Sequence, residues 1–198
     1  DRNICEVLRL GKGAYQAILS DDDVLLPEAI DTILAQLKAY GDIAAICWNV
    51  RLFDTSPEES STAVYSAGQA ELIESKDDVL VRLGTMLTFI SALVFRRADL
   101  NITQYEERVG KWFLHSYLYV DVITSGGGVL FLPQHLLAMR GNNTGGYNFF
   151  QVFLTSFSDV LKYAESRGFS HQATRQVLDN HRQFIRNFII LFKVRGAF

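Results

Sequence analysis

The sequence predicts an α/β layer with a helical C-terminal extension, on two observations. Short apolar runs that read as buried strands alternate with stretches of helical periodicity as far as VLFLP at 129–133, and from Asn148 onward only helical periodicity remains. A chain of 198 residues that is 48% hydrophobic can bury a substantial core, as one large domain or two small ones.

Residues 3–10 read as the end of a helix with Ile4, Val7 and Leu8 on one face, stopped by the GKG at 11–13. AYQAILS, 14–20, reads as a short buried strand that runs into three acids, Asp21, Asp22 and Asp23. Pro27 suits the first turn of a helix; Ile30, Ile33, Leu34 and Leu37 follow at helical spacing, and Gly41 supplies the C-cap. IAAICWNVRLF, 43–53, is continuously apolar at its start, as a strand buried on both faces is. Residues 54–69, rich in Ser, Thr, Glu and Gly, are expected as a mobile loop. KDDVLVRLGTML, 76–87, reads as helix, and FISALVFRR, 89–97, is ambiguous between helix and strand. KWFLHSYLYVDVI, 111–123, carries an apolar helical stripe ending at the glycines 126–128; VLFLP is again a strand, and RGNNTGG, 140–146, a polar turn. Two helices, 149–167 and 171–195, parted by Gly168, close the chain.

Net charge is −3 but unevenly placed: residues 171–198 carry Arg175, Arg182, Arg186, Lys193 and Arg195 against Asp179, or +4, which leaves −7 on the rest. An acidic body with a basic tail argues against nucleic acid as the partner and for something anionic at the tail. Cys5 and Cys47 stand in apolar surroundings with no Cys-x-x-Cys spacing and no nearby histidine, the pattern of core thiols in a reducing compartment, which makes the expected location cytoplasmic. No basic region followed by an apolar one opens the chain, so no signal peptide is expected, and with Asp1 first it is expected to begin in mid-protein. The longest uncharged window, 122–139, is broken by SGGG, Pro133 and His135, so no membrane-spanning helix is expected.

Adjacent carboxylates repel one another, and at the carboxyl end of a strand in an open α/β sheet they occupy the place where ligands bind. A hard cation, Mg²⁺ or Mn²⁺, resolves the repulsion, because it takes oxygen ligands and commonly uses one or two carboxylates plus the phosphates of a substrate. The competing expectation is a solvated loop in which Asp23 helps to cap the helix at Pro27.

GKGAYQAILSDDDVLLPEAI resembles the segment that carries the Asp-x-Asp signature in family-two glycosyltransferases of the GT-A fold. FISALVFRRADL, ERVGKWFLHSYLYVDVITSGGG and VLFLPQHLLAMRGNN resemble, in the same order, bacterial O-antigen sugar transferases of the abequosyltransferase type, so the resemblance covers residues 3–165. It implies a GT-A-like, mostly parallel sheet flanked by helices. It also implies transfer of a sugar, with inversion, from a nucleotide diphosphate donor to a hydroxyl of a lipid-linked glycan, with a metal on the acids stabilising the leaving nucleotide. By that resemblance Asp23 is the first choice as direct ligand, with Asp22 beside it and Asp21 in a more variable position. The family's first strands and helices, which hold the nucleoside, are implied to precede Asp1, which makes the chain part of a domain: 1–147 catalytic, 148–198 a helical extension.

An inverting transfer needs a base, and His115 falls where relatives carry an acid; an ordinary imidazole can accept a proton at neutral pH, although a core histidine satisfied by a carbonyl fits the sequence equally. Glu106, Glu107 and Asp121 are the other candidates, with Glu106 and Glu107 on a loop over the acceptor or simply solvated. Arg140 opens the loop implied to lie near the active site, where a guanidinium pairs with a diphosphate, or it is an ordinary surface arginine. Arg96 and Arg97 line the acceptor cleft or face solvent, and Trp48 and Trp112 stack on sugar rings or belong to the core. In 171–195, Val177, Phe184, Ile185, Phe188, Ile189 and Phe192 form an apolar face with the basic residues largely off it. That helix lies on an anionic membrane, covers the body or pairs with another subunit. A non-catalytic binding or scaffold module that uses this helix is the alternative to the enzyme.

Overall fold

The computed structural model describes residues 2–59, 62–65, 68–91, 93–141 and 150–194. In chain order the elements are α1 (Arg2–Leu10), β1 (Tyr15–Ala17), β2 (Val24–Leu25), α2 (Ala29–Tyr40), β3 (Ala45–Phe53), β4 (Thr62–Tyr65), β5 (Glu71–Ile73), α3 (Lys76–Leu83), β6 (Leu93–Arg96), α4 (Ile102–Glu106), α5 (Leu114–Thr124), β7 (Val129–Arg140), α6 (Phe157–Ser166) and α7 (His171–Val194). A 3₁₀ segment, Gly84–Thr88, continues α3, and a π-helical stretch, Gln151–Ser156, leads into α6. The boundary expected between 147 and 148, and all of the polar turn beyond Gly141, lie outside the described residues.

One sheet runs β1-β6-β3-β7-β2, with β4 on β3 and β5 on β7. The expectation of a mostly parallel sheet is corrected: among the described pairings only β3 with β7 is parallel, and the others are antiparallel. The βαβ unit is nevertheless real, since β1 and β3 both run opposite to β6 and so run the same way. They are not neighbours, because β6 inserts between them. A strand buried on both faces reads as the same apolar run whichever way it points, so its direction carries no sequence signal. The expected mobile loop at 54–69 is corrected too, because it contains β4, which pairs with β3 across an irregular register.

β7 runs straight through Pro133, a residue without a ladder donor. Cys47 pairs with Phe131 and Asn49 with His135, so two residues on β3 span four on β7, and Pro133 sits in that irregularity. Asn49 Nδ2 donates to the Pro133 carbonyl at 2.6 Å. The glycine run keeps its place for a steric reason: Gly127 (φ 91°) would bring a Cβ to 2.6 Å from the Asp42 carbonyl.

The core lies on β3, β6 and β7, with α2 over one face, where Ile33 and Leu37 approach Trp48 and Val94. Its start differs from the expectation: α2 begins two residues after Pro27, and its N-cap, Glu28, has a φ of 67° and no side-chain cap, so Asp23 does not cap it. The helix at 111–123 also differs. Every residue from Leu114 to Ile123 is buried, so α5 has no solvent face and its Ser, His and Asp must find partners inside. Cys5 and Cys47 are free, buried thiols, and burial pushes Cys47 up to about 12. In α7, Ala173, Thr174, Val177, His181 and Ile185 face the body, while Phe184 is exposed. The expected stripe is therefore divided; Phe188 and Phe192 lie among side chains outside those described. Among the described residues no helix is long and apolar enough to cross a membrane.

Candidate functional site

The acids stand where β1 leaves the sheet and β2 joins β7, so the connection must turn sharply within 18–23. The turn is closed by a backbone bond from Asp23 N–H to the Ser20 carbonyl, 3.3 Å. It is pinned from outside by Ser91, whose hydroxyl accepts from the Ser20 N–H at 3.0 Å and donates to Asp23 Oδ2 at 2.7 Å. Ser20 Oγ donates to Asp22 Oδ1 at 2.5 Å. The three acids therefore differ: Asp21 is exposed, Asp22 half-buried, and Asp23 only 8% exposed. Burial raises the Asp23 pKa above the usual carboxylate value, against the Ser91 bond and an Arg140 backbone N–H, and the Asp22 and Asp21 charges raise it further.

Among the described residues no three His, Cys, Asp or Glu side chains converge as a metal cage. The loop offers less than that: two neighbouring carboxylates, each with one oxygen already held by a serine. Such a set fits a hard cation that takes most of its ligands from phosphate and water.

Arg140 is brought to the acids through the backbone, because Val24 pairs with Ala138. Its side chain is exposed and lies over the Phe53 ring, 5.7 Å to the centroid. His115 sits in the first turn of α5, behind Phe113, a non-glycine residue at φ 66°. It is 7% exposed, between the rings of Phe113 and Tyr119 at 5.9 and 5.7 Å. Its Nε2 is buried and has no partner among the described residues, while the ring meets the Thr88 backbone. Burial lowers the His115 pKa to about 4. The acids and His115 thus meet on one short segment, with Thr88 bonded to His115 and Ser91 to Asp23.

The other candidates are placed elsewhere. Glu106 is ion-paired with Arg9 of α1, and Glu107 is exposed at the end of α4. Asp121 is buried and accepts from Gln104 Nε2 (2.9 Å), the hydroxyls of Tyr105 (2.8 Å) and Tyr163 (2.7 Å), and Arg167 Nε (2.9 Å). It ties α4, α5 and α6 together. Arg96 pairs with Asp42 at 2.7 Å. Trp48 is core, 2% exposed, whereas Trp112 is 46% exposed and falls outside the core expectation. Sequence reasoning missed Ser91 and Ser20. Nothing marks a single serine inside FISALVFRR, where the surrounding run does not declare its own periodicity.

No protein-family model matches the chain, and comparison with curated protein sequences finds no match. The fold does match solved structures. One is S. aureus TarS residues 1–349 in complex with UDP, at 11% identity and a TM-score of 0.58, covering 88% of this chain and 47% of that one. Another is the same protein in complex with UDP-GlcNAc, at 10% identity and a TM-score of 0.57, covering 88% and 49%. Longer S. aureus TarS matches at 9% identity and 0.56, over 91% of this chain and 30% of that one. This chain therefore shares its fold with those structures and spans about half the length of the 1–349 ones.

Proposed function

We propose that the chain is the acid-bearing and acceptor-side portion of an inverting glycosyltransferase. It moves a sugar from a nucleotide diphosphate sugar to a hydroxyl of a lipid-linked glycan in cell-surface polysaccharide synthesis. The observation that carries this reading is the state of Asp23: a carboxylate nearly out of solvent, held by neutral donors, beside two like charges, with no cation paired to it among the described residues. The likeness to a protein crystallised with UDP and with UDP-GlcNAc supports a nucleotide-sugar donor.

Mg²⁺ or Mn²⁺, if bound, would supply positive charge to offset the charge that develops on the leaving nucleotide. Asp23 would be the first residue to hold it, with Asp22 and the exposed Asp21 adding negative charge at the mouth. Arg140, whose backbone N–H already faces Asp23, offers its guanidinium to the diphosphate once it leaves the Phe53 ring. His115 is the candidate base: it is neutral at pH 7, and Nε2, buried and without a partner among the described residues, has to be uncovered before it can take the proton of an acceptor hydroxyl. Glu106 and Glu107 contribute on the acceptor side only if Glu106 gives up Arg9.

The test is nucleoside diphosphate release from a panel of nucleotide sugars by the full-length protein. Turnover that requires Mn²⁺ or Mg²⁺ and is lost in Asp23→Asn is the expected result; turnover indifferent to chelation and to that substitution overturns the reading. A second reading draws on α7, where Phe184 and Ile190 are exposed on a helix that also carries Arg182 and Arg186. It makes the chain a non-catalytic module held to a membrane, a partner or a second copy of itself. Binding to anionic liposomes at low salt, with no metal-dependent turnover in the full-length protein, favours it.

A further inference from the structure

We infer that Ser91 is a positioning residue that sets the acidic loop, and Asp23 above all, relative to His115; the inference rests on the glycosyltransferase reading of that loop. Ser91 is 1% exposed and lies between Gly84–Thr88 and β6, far in sequence from both partners. Its hydroxyl is used twice on the same loop, accepting from Ser20 N–H at 3.0 Å and donating to Asp23 Oδ2 at 2.7 Å. One side chain thus fixes both ends of the turn that presents the acids.

The other side of the same segment is fastened to α5. Ser116 Oγ donates to the Leu87 carbonyl at 2.5 Å, Tyr119 O–H donates to the Ile90 carbonyl at 2.5 Å, and His115 bonds the Thr88 backbone. Residues 87–91 therefore form a short bridge with the base-bearing helix on one side and the acids on the other. Ser91 is its attachment to the acids. Hydroxyl groups that orient a ligating carboxylate are part of a metal site in the same sense as the carboxylate itself, and losing one costs about 10- to 100-fold in metal affinity.

The experiment compares Ser91→Ala, Ser91→Cys and Ser91→Thr with the parent and with Asp23→Asn in the full-length protein. Mn²⁺ binding is measured calorimetrically in the presence of UDP, and exchange of the Ser20 amide hydrogen is followed in the metal-free protein. The expected result is Mn²⁺ affinity lowered about 10- to 100-fold in the Ala and Cys variants, with faster Ser20 exchange, and affinity restored to within about threefold by Thr, which keeps the hydroxyl. Cys is close to Ser in size, so it carries the comparison where Ala does not fold. Parent-like Mn²⁺ affinity in folded Ala or Cys variants overturns the role of Ser91 alone, provided that Asp23→Asn still loses the ion. A parent that takes up no Mn²⁺ with UDP overturns both this inference and the reading beneath it.

Discussion

Asp23 and Asp121 are both buried carboxylates, and they are provided for in opposite ways. Asp121 receives two tyrosine hydroxyls, a glutamine amide and the Arg167 guanidinium, a donor set that includes a full positive charge. Asp23 receives a serine hydroxyl and a backbone N–H, both neutral, and has Asp22 and Asp21 for neighbours. A buried charge costs several kcal/mol unless it is paired. The Asp121 cluster meets that cost within the chain, so its work is to join three helices. Asp23 itself has only neutral donors among the described residues, and on the proposed function a bound cation would supply the opposite charge.

The comparison breaks most visibly at Asp23. Asp23→Asn is expected to lower metal-dependent turnover by about a thousandfold, since a metal ion at a leaving phosphate is worth several kcal/mol. Its melting temperature should hold or rise, because an unpaired buried charge has been removed. Steady-state kinetics alongside calorimetry checks both halves. Asp121→Ala should do the reverse, with a loss of about 3 kcal/mol of stability as Tyr105 loses its acceptor and Arg167 its partner. For a chain of this length that is a fall of roughly 10 °C in Tm, read by scanning calorimetry.

His115 sharpens the comparison through pH. Its folded pKa, about 4, lies below the ordinary 6.5, so between those values the unfolded chain binds more protons and stability falls as pH falls. The loss approaches about 3 kcal/mol near pH 4 and is absent above pH 7. Urea unfolding from pH 7 to pH 4 should show that slope in the parent and a flatter one in His115→Gln. Arg167→Ala is the smallest effect, about 1 kcal/mol or less, because that side chain is half exposed and its ion pair is screened. A loss several times larger would mean that Asp121 depends on the cation rather than on the tyrosines.

The position of the acids was legible because they follow directly on an apolar run that reads as a short strand. The strand, helix and strand around them were legible from Gly41 and the spacing of Ile30, Ile33, Leu34 and Leu37, although α2 starts two residues after Pro27. Three things were not. β6 gives no sign that it inserts antiparallel between β1 and β3, because apolar runs do not encode direction. β4 is hidden in a polar stretch, its pairing supplied by the edge of β3. Ser91 is a lone hydroxyl whose significance comes entirely from two partners about 70 residues away, Ser20 and Asp23. Asp121 was readable as an acid on α5, yet not as a satisfied one, since its donors come from α4, α6 and Arg167 just beyond.

Ion and nucleotide are expected to bind with linkage, each raising the affinity for the other. Titrating the full-length protein with UDP, with and without Mn²⁺, should show affinity for the nucleotide raised about tenfold or more by the ion, the reciprocal gain for Mn²⁺ in the presence of UDP, and neither in Asp23→Asn. UDP affinity that is the same in Mn²⁺ and in chelator would contradict it.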